Sequence, residues 1–266
     1  MIKKLIAFLK KDFITETSYK LFFVVRFIDI FLSVIVYYFL STLIGGSASK
    51  YFSEYSDNYF PFVIIGVAFA GYLTTAIYSF SQSLRDAQTT GTLEFIISTP
   101  TNISTFLFGS ILWSFIVKSW DILVYFLFSI FIFGLTLNNA NIFSAIAISI
   151  LTILSLISFG IIGAAFVVLY KRDFSSWINA IFRFLGGVFF PISVLPSEIK
   201  VFSYLIPLTY SLDAMRLALL KGYSLGQLTM DIIVLLAFII ILTPISVYFF
   251  KYSINKAKKD GTLIEY

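Results

Sequence analysis

Hydrophobic residues in this chain come in long runs, not in the alternation of a strand or the narrow stripe of a surface helix. Runs from Leu21 to Leu43, about Phe60 to Phe80, about Thr105 to Leu135, about Ile142 to Tyr170 and about Leu228 to Phe250 each have the length, roughly 20 residues, that a helix needs to cross a hydrocarbon core. A further run, about Ile178 to Pro191, is short for a full crossing. The breaks between runs are polar: "GGSASKYFSEYSDNY" after the first, "TLNNAN" after the third and "KRDFSSW" after the fourth. The pattern predicts an all-α polytopic membrane protein with six transmembrane helices in one domain over residues 1–266, with no internal repeat and no soluble domain.

Ahead of the first run, "MIKKLIAFLKKDF" has helical periodicity. Ile2, Leu5, Ile6, Leu9 and Phe13 share one face, with Lys3, Lys4, Lys10 and Lys11 opposite. Such a helix lies in the membrane interface, drawn to anionic headgroups. It is not a signal peptide: its apolar stretch is interrupted by Lys10 and Lys11, and no small-residue cleavage site follows.

Two other stretches are punctuated in ways a plain connection does not need. In "GTLEFIISTP", Gly91 to Pro100, the glycine favours a break, Glu94 suits a helix's first turn and Pro100 ends the element. Leu93, Ile96 and Ile97 form one apolar face. A short helix lying across the end of a bundle, one face on the bundle and the rest offered to a partner, uses this pattern; an interfacial helix without a partner is the alternative. From Gly187 to Gly222, Pro191, Pro196 and Pro207 cut an apolar stretch into pieces too short to cross. Ser211 is the expected cap of a helix whose first turn holds Asp213, and Lys221–Gly222 is its stop. Small re-entrant helices between the fifth and sixth spans follow, forming an outer gate.

Composition agrees: 59% of the 266 residues are hydrophobic, 12% are charged, and the mean hydropathy is +0.95. There is no cysteine and no histidine. That excludes thiolate nucleophiles, His general bases and the usual His and Cys metal sites, so no catalytic residue and no metal site is expected in this chain. No phosphate-binding loop of the GxxxxGK[ST] type occurs either. With both termini in the cytoplasm, that side carries Lys3, Lys4, Lys10, Lys11, Lys20, Arg85, Lys171, Arg172, Lys251, Lys256, Lys258 and Lys259. The other side carries only Lys50, Lys200, Arg216 and Lys221, which fits the positive-inside rule.

Charges inside spans are expensive and therefore informative. Arg26 and Asp29 are three apart in the first span and Lys118 and Asp121 three apart in the third, spacings at which each pair can meet on one helix face. Arg183 in the fifth span has no local partner. Rings on the second and fifth spans, Phe69, Tyr72, Phe182, Phe184 and Phe189, are candidates to line a path for an apolar or amphipathic molecule; packing or lipid contact is the alternative.

The segments "RDAQTTGTLEFIISTPTNISTFLFGSIL" and "GGVFFPISVLPSEIKVFSYLIPLTYSLDAMRLALLKG" resemble two hallmark regions of the ABC transporter type-2 permeases. The first is similar to the family's G-T-L-E…T-P stretch between spans two and three, the second to its F-P…L-P…P-L-T-Y…R…G stretch between spans five and six. The resemblance implies that Gly91, Thr92, Leu93, Glu94, Thr99 and Pro100 belong to a coupling helix that docks on a separate ATP-binding subunit. It implies that Pro191, Pro196, Pro207 and Tyr210 lie in the extracellular re-entrant helices. It further implies an exporter of drug-like, lipid or lipid-linked glycan substrates at the cell membrane. That exporter is a dimer, a homodimer in the simplest case, with two ATPase copies holding ATP and magnesium. Membrane lipid is its other contact and nucleic acid is not one. One departure is that only Arg85 and Asp86 remain of the charge usual just before the G-T-L-E. Two other classes stay open on the residues alone: a membrane-integral transferase, which wants convergent acids where only scattered ones occur, and a membrane scaffold without a substrate.

Overall fold

The computed structural model describes residues 2–18, 20–45, 49–89, 91, 103–170 and 175–260, and every regular element among them is helical. The chain opens with α1 (Ile2–Ser18), then α2 (Lys20–Ile44), the single turn α3 (Ser49–Phe52), α4 (Tyr59–Thr89), α5 (Ile103–Phe131) and α6 (Ile142–Tyr170). It continues through α7 (Ser175–Leu185), α8 (Ser197–Ser203), α9 (Pro207–Arg216) and α10 (Thr229–Lys259). Helices are what such apolar runs must form, because inside a bilayer every backbone N–H and C=O needs a partner within its own segment.

Among the described residues, five helices are long and apolar enough to span a membrane: α2, α4, α5, α6 and α10. The expected sixth, in the run ending at Pro191, is α7, whose 11 residues reach about 16 Å, roughly half a hydrocarbon core. It stops for a local reason. Gly187 takes a left-handed φ of +74°, the Val188 N–H turns back to the Arg183 carbonyl at 3.4 Å, and the Gly186 N–H reaches the Phe182 carbonyl at 2.8 Å. This is a glycine-terminated helix end.

α4 is the hub. It packs against α2, α5, α6, α7 and α9 and is buried over most of its length, with Phe62, Ile64, Ile65, Leu73 and Ile77 almost fully enclosed. α6 and α10 form the most extensive helix pair. Serine, threonine, glycine and alanine make up much of α6's buried surface, which lets backbones approach closely, and Ser158 and Thr243 share a hydrogen bond across the pair at 3.0 Å. Asn141 begins α6 by accepting the Ser144 N–H at 3.1 Å. α1 packs along α5, and Phe13 sets its ring edge against Trp113 at 5.5 Å.

The segment after α7 is a set of short pieces, each led by proline. Pro191 precedes a 3₁₀ turn at Ile192–Val194, Pro196 precedes α8 and Pro207 is the first residue of α9. Proline fits there because its missing N–H would go unpaired in a first turn anyway. Ser211 does not cap α9 as expected. It lies one turn inside, its Oγ donating to the Pro207 carbonyl at 3.0 Å, because the helix already starts at Pro207. α9 runs on as a π-helical turn, Leu217–Lys221, and ends at Gly222 with φ +74°, at the predicted stop. The Asn141 N–H donates to the Ala218 carbonyl at 2.9 Å, which fastens this segment to the end of α6 where that helix begins, whereas α7 follows the opposite end of α6.

Candidate functional site

Three clusters of side chains are built where apolar helices meet. The first closes the α4 end of the bundle and centres on Arg216, the last residue of α9, which is 3% exposed. Its Nε donates to the Phe62 carbonyl at 3.2 Å, and its Nη2 to the carbonyls of Gly187 and Val188 at 2.9 and 3.1 Å. The guanidinium sits over the Phe62 ring, 3.5 Å from its centroid. Beside it, the Tyr55 hydroxyl donates to Asp213 Oδ1 at 2.6 Å. Burial pulls the Arg216 pKa down to about 10, so it remains a cation at neutral pH; the Tyr55 phenol is pushed well above its usual 10.0, first by burial and then by the Asp213 carboxylate.

This arrangement needs Gly66. A methyl at that position would overlap the Val188 carbonyl oxygen and lie 2.6 Å from Arg216 Nη2. One cation thus ties α4, the turn after α7 and α9 together, through the two turn carbonyls and a further hydrogen bond to the carbonyl of Phe62 in the first turn of α4. The expected gate residues lie in or beside this cap. Pro191 and Pro207 are buried, Pro196 is exposed, and the Tyr210 hydroxyl donates to the Tyr204 carbonyl at 3.2 Å.

The second cluster joins α1, α2 and α5. Lys118 Nζ lies 2.8 Å from Asp121 Oδ2, within α5 at the anticipated spacing of three. Arg26 departs from expectation. Among the described residues its ion pairs are to Glu16 of α1, at 3.0 Å, and to Asp121 of α5, at 3.2 Å, rather than to Asp29. Side chains on a helix lean toward its N-terminus, so Arg26 reaches back to Glu16 while Asp29, one turn onward, is exposed. Trp113 Nε1 donates to the other Glu16 oxygen. Lys118 also runs past Gly71 of α4, where a Cβ would lie 2.6 Å from its Cδ.

The third cluster lies on α7. Its Asn179 accepts a hydrogen bond from Thr74 of α4 at 3.1 Å. One helical turn on, Arg183 lies 5.4 Å from the Phe189 centroid, and Phe189 stacks with Tyr37 of α2 at 6.4 Å. The rings proposed as a path divide. Phe69 and Tyr72 are buried between α4 and α5, with the Tyr72 hydroxyl 2.8 Å from Ser119 Oγ, so packing describes them in this chain. Phe182 meets Phe159 edge-on at 5.1 Å, and Phe184 is exposed. Of the docking stretch, Gly91 is an exposed turn with φ +67°; Thr92, Leu93, Glu94, Thr99 and Pro100 lie outside the described residues.

Sequence reasoning placed Arg216 only in a charge tally and a motif, and passed over Tyr55, Glu16 and Trp113. The available signal was chemical: an arginine following three prolines in an apolar segment demands carbonyls or carboxylates close by.

Among the described residues, five membrane-long helices, of which α4 is the buried one, capped by a proline-led re-entrant segment, define a multi-pass integral membrane protein. Residues 3–220 match the ABC-2 type transporter model, and the chain belongs to that family. The family is a membrane transport component that normally works with an ATP-binding subunit. No curated protein matches the chain in sequence.

Proposed function

We propose that this chain is the permease subunit of an ATP-driven exporter that moves a hydrophobic or amphipathic molecule out of the cytoplasm or the inner leaflet. The observation that carries this reading is the family match across residues 3–220, which includes both the Gly91–Pro100 stretch and the proline-led cap. In this reading Gly91, Thr92, Leu93, Glu94, Thr99 and Pro100 form the element on which a separate ATP-binding subunit docks. ATP and magnesium belong to that subunit, which is present in two copies beneath a permease homodimer. A short element held between two long helices transmits displacement better than a slack loop.

The segment with Pro191, Pro196, Pro207 and Tyr210 acts as the outer gate. Its attachment by Ala218 to the Asn141 end of α6 supports a sixth, broken passage made by α7 and the turns after it, with both termini cytoplasmic in the plasma membrane. Of the candidate path residues, Phe184 and Phe189 are the two this reading places beside the substrate, and Phe69 and Tyr72 support the wall from behind.

The test is recovery of the tagged chain from its native membranes in mild detergent. Stoichiometric co-purification of a soluble subunit with a phosphate-binding loop and ATPase activity is the expected result. Recovery of the chain alone across several gentle detergents would return the transferase and scaffold readings to the front. Glu94→Lys is expected to reduce that co-purification severalfold without affecting membrane insertion.

A further inference from the structure

The continuation of α9, Leu217–Lys221, is π-helical and stops at Gly222, which takes a left-handed φ of +74°. Such a turn is rare, and its N–H groups reach back five residues where those of an α-helix reach four. Here the Gly222 N–H donates to the Leu217 carbonyl, and the Tyr223 N–H comes to the same oxygen at 3.2 Å. In an α-helical ending the Gly222 N–H would take the next carbonyl, that of Ala218. The π geometry thus frees the Ala218 carbonyl from its own helix, and the Asn141 N–H donates to it at 2.9 Å. Ala218 is fully buried, so its carbonyl needs one donor or the other.

The chain is held firmly on one side of this turn and loosely on the other. Upstream, Arg216 is fixed by the carbonyls of Phe62, Gly187 and Val188. Downstream, residues 223–228 form an open turn around Ser224 and Gln227 before α10. A Cβ at Gly226 would meet nothing nearer than Ser224 Oγ, at 3.9 Å, so a change of pitch at 217–221 is taken up there. Across the contact, Asn141 keeps bonds of its own. Its Oδ1 accepts the Ser144 N–H at 3.1 Å and its carbonyl the Ala145 N–H at 3.0 Å. The Ala140 N–H is likewise bonded within the α5–α6 connection, to the Leu137 carbonyl at 3.1 Å. Parting Asn141 from Ala218 therefore leaves both segments internally paired.

We propose that the 217–221 turn is a two-position latch on the outer gate. In the π position Ala218 holds Asn141, and the proline-led segment is fastened to the start of α6. In the α position Gly222 takes the Ala218 carbonyl and Asn141 is released, while the Arg216 cage stays closed. The released Asn141 N–H turns to water beside the exposed Asn138 and Asn139, so the two positions exchange one hydrogen bond for another. The latch deepens the gate reading above and rests on it.

The test is amide hydrogen exchange of the full chain in detergent, resolved residue by residue through electron-transfer fragmentation. Asn141 alone is expected to exchange fast, at least tenfold ahead of Ala140, Ser144, Gly222 and Met215 after correction for intrinsic rates. Fraying of the α5–α6 connection would carry Ala140 and Ser144 along with Asn141. Unfolding of the gate segment would carry Gly222 and Met215, and an Asn141 as slow as Met215 would mean a single position. Each of those three results overturns the latch. In the complex with the co-purified ATP-binding subunit, trapping with ATP and vanadate is expected to speed Asn141 exchange at least tenfold and to leave Gly222 unchanged. Cryo-electron microscopy of the trapped complex then reads the turn itself. An α-helical 217–222 beside a released Asn141 is expected, and a turn still π-helical there overturns the switch. Asn141 exchange that ignores nucleotide overturns the tie to the gate. If no ATP-binding subunit is recovered, fast exchange of Asn141 alone upholds the latch while the transport reading fails.

Discussion

The protein buries positive charge in two different ways, at the start of α4 and around the middle of α5. Arg216 is held by three backbone carbonyls and the face of Phe62, with no carboxylate in the cage. Arg26 and Lys118 are held by carboxylates, Glu16 and Asp121, in a network of two cations against two anions that spans three helices. The Gly187 and Val188 carbonyls lie in the turn beyond the last residue of α7, so a guanidinium that collects them fixes the shape of that turn and ties it to Phe62 of α4. Carboxylates satisfied by cations fix instead the positions of whole helices relative to one another. The first device specifies backbone conformation and the second specifies register.

Breaking the carbonyl cage has the largest expected effect. Arg216→Met strands the Gly187 and Val188 carbonyls in a buried site, along with the loss of its contact to Phe62, and is expected to cost about 3–5 kcal/mol. Thermal unfolding in detergent reads this, and a loss under about 1 kcal/mol would mean the cage is incidental. Asp121→Asn tests the other side. It leaves two cations short of a counter-charge, but Arg26 and Lys118 are 24% and 27% exposed, so about 2–3 kcal/mol is expected. If the network sets register, limited proteolysis of Asp121→Asn should release the α1 segment first, whereas Arg216→Met should expose the 186–206 turn.

Gly66→Ala sharpens the comparison without touching charge. The methyl must displace the Val188 carbonyl from Arg216, for an expected loss of about 2 kcal/mol, and combining it with Arg216→Met should cost less than the two separate effects summed. Tyr55→Phe is the mildest change, about 1 kcal/mol, since it removes one hydrogen bond to a carboxylate at the edge of the cage. It also carries a pH signature. The folded phenol titrates above its unfolded value near 10.0, so the stability it contributes is complete below pH 10 and is lost as pH rises beyond it. Between about pH 10 and 11.5 the wild type should therefore lose melting temperature faster than Tyr55→Phe.

The long helices were readable because crossing a bilayer is a matter of summed hydrophobicity and length, both local properties of the chain. The stop of α9 at Gly222 was readable for the same reason, because a glycine acts through its own φ angle; its start was not, since the helix begins at Pro207 and not after Ser211. The end of α7 was less so. The apolar run continues through Val188 and Phe190, and only the Gly186–Gly187 pair marks the break that the structure makes there. Spacing also misled at Arg26, because a helical interval of three describes which residues can meet and not which partner a neighbouring helix offers.

By itself the sequence determined that this is a membrane-spanning helical protein, where its long helices lie, and that a proline-led segment interrupts them near the end. Those features follow from composition and from residues acting on their own backbone. Tertiary structure alone decided that Arg26 turns to Glu16 and Asp121, that Phe69 and Tyr72 face the core, and that Arg216 gathers carbonyls from Phe62, Gly187 and Val188. The reason is the rotation of each helix about its axis. In a chain apolar on every side, the hydrophobic pattern does not set it, and only the close packing of neighbouring helices does.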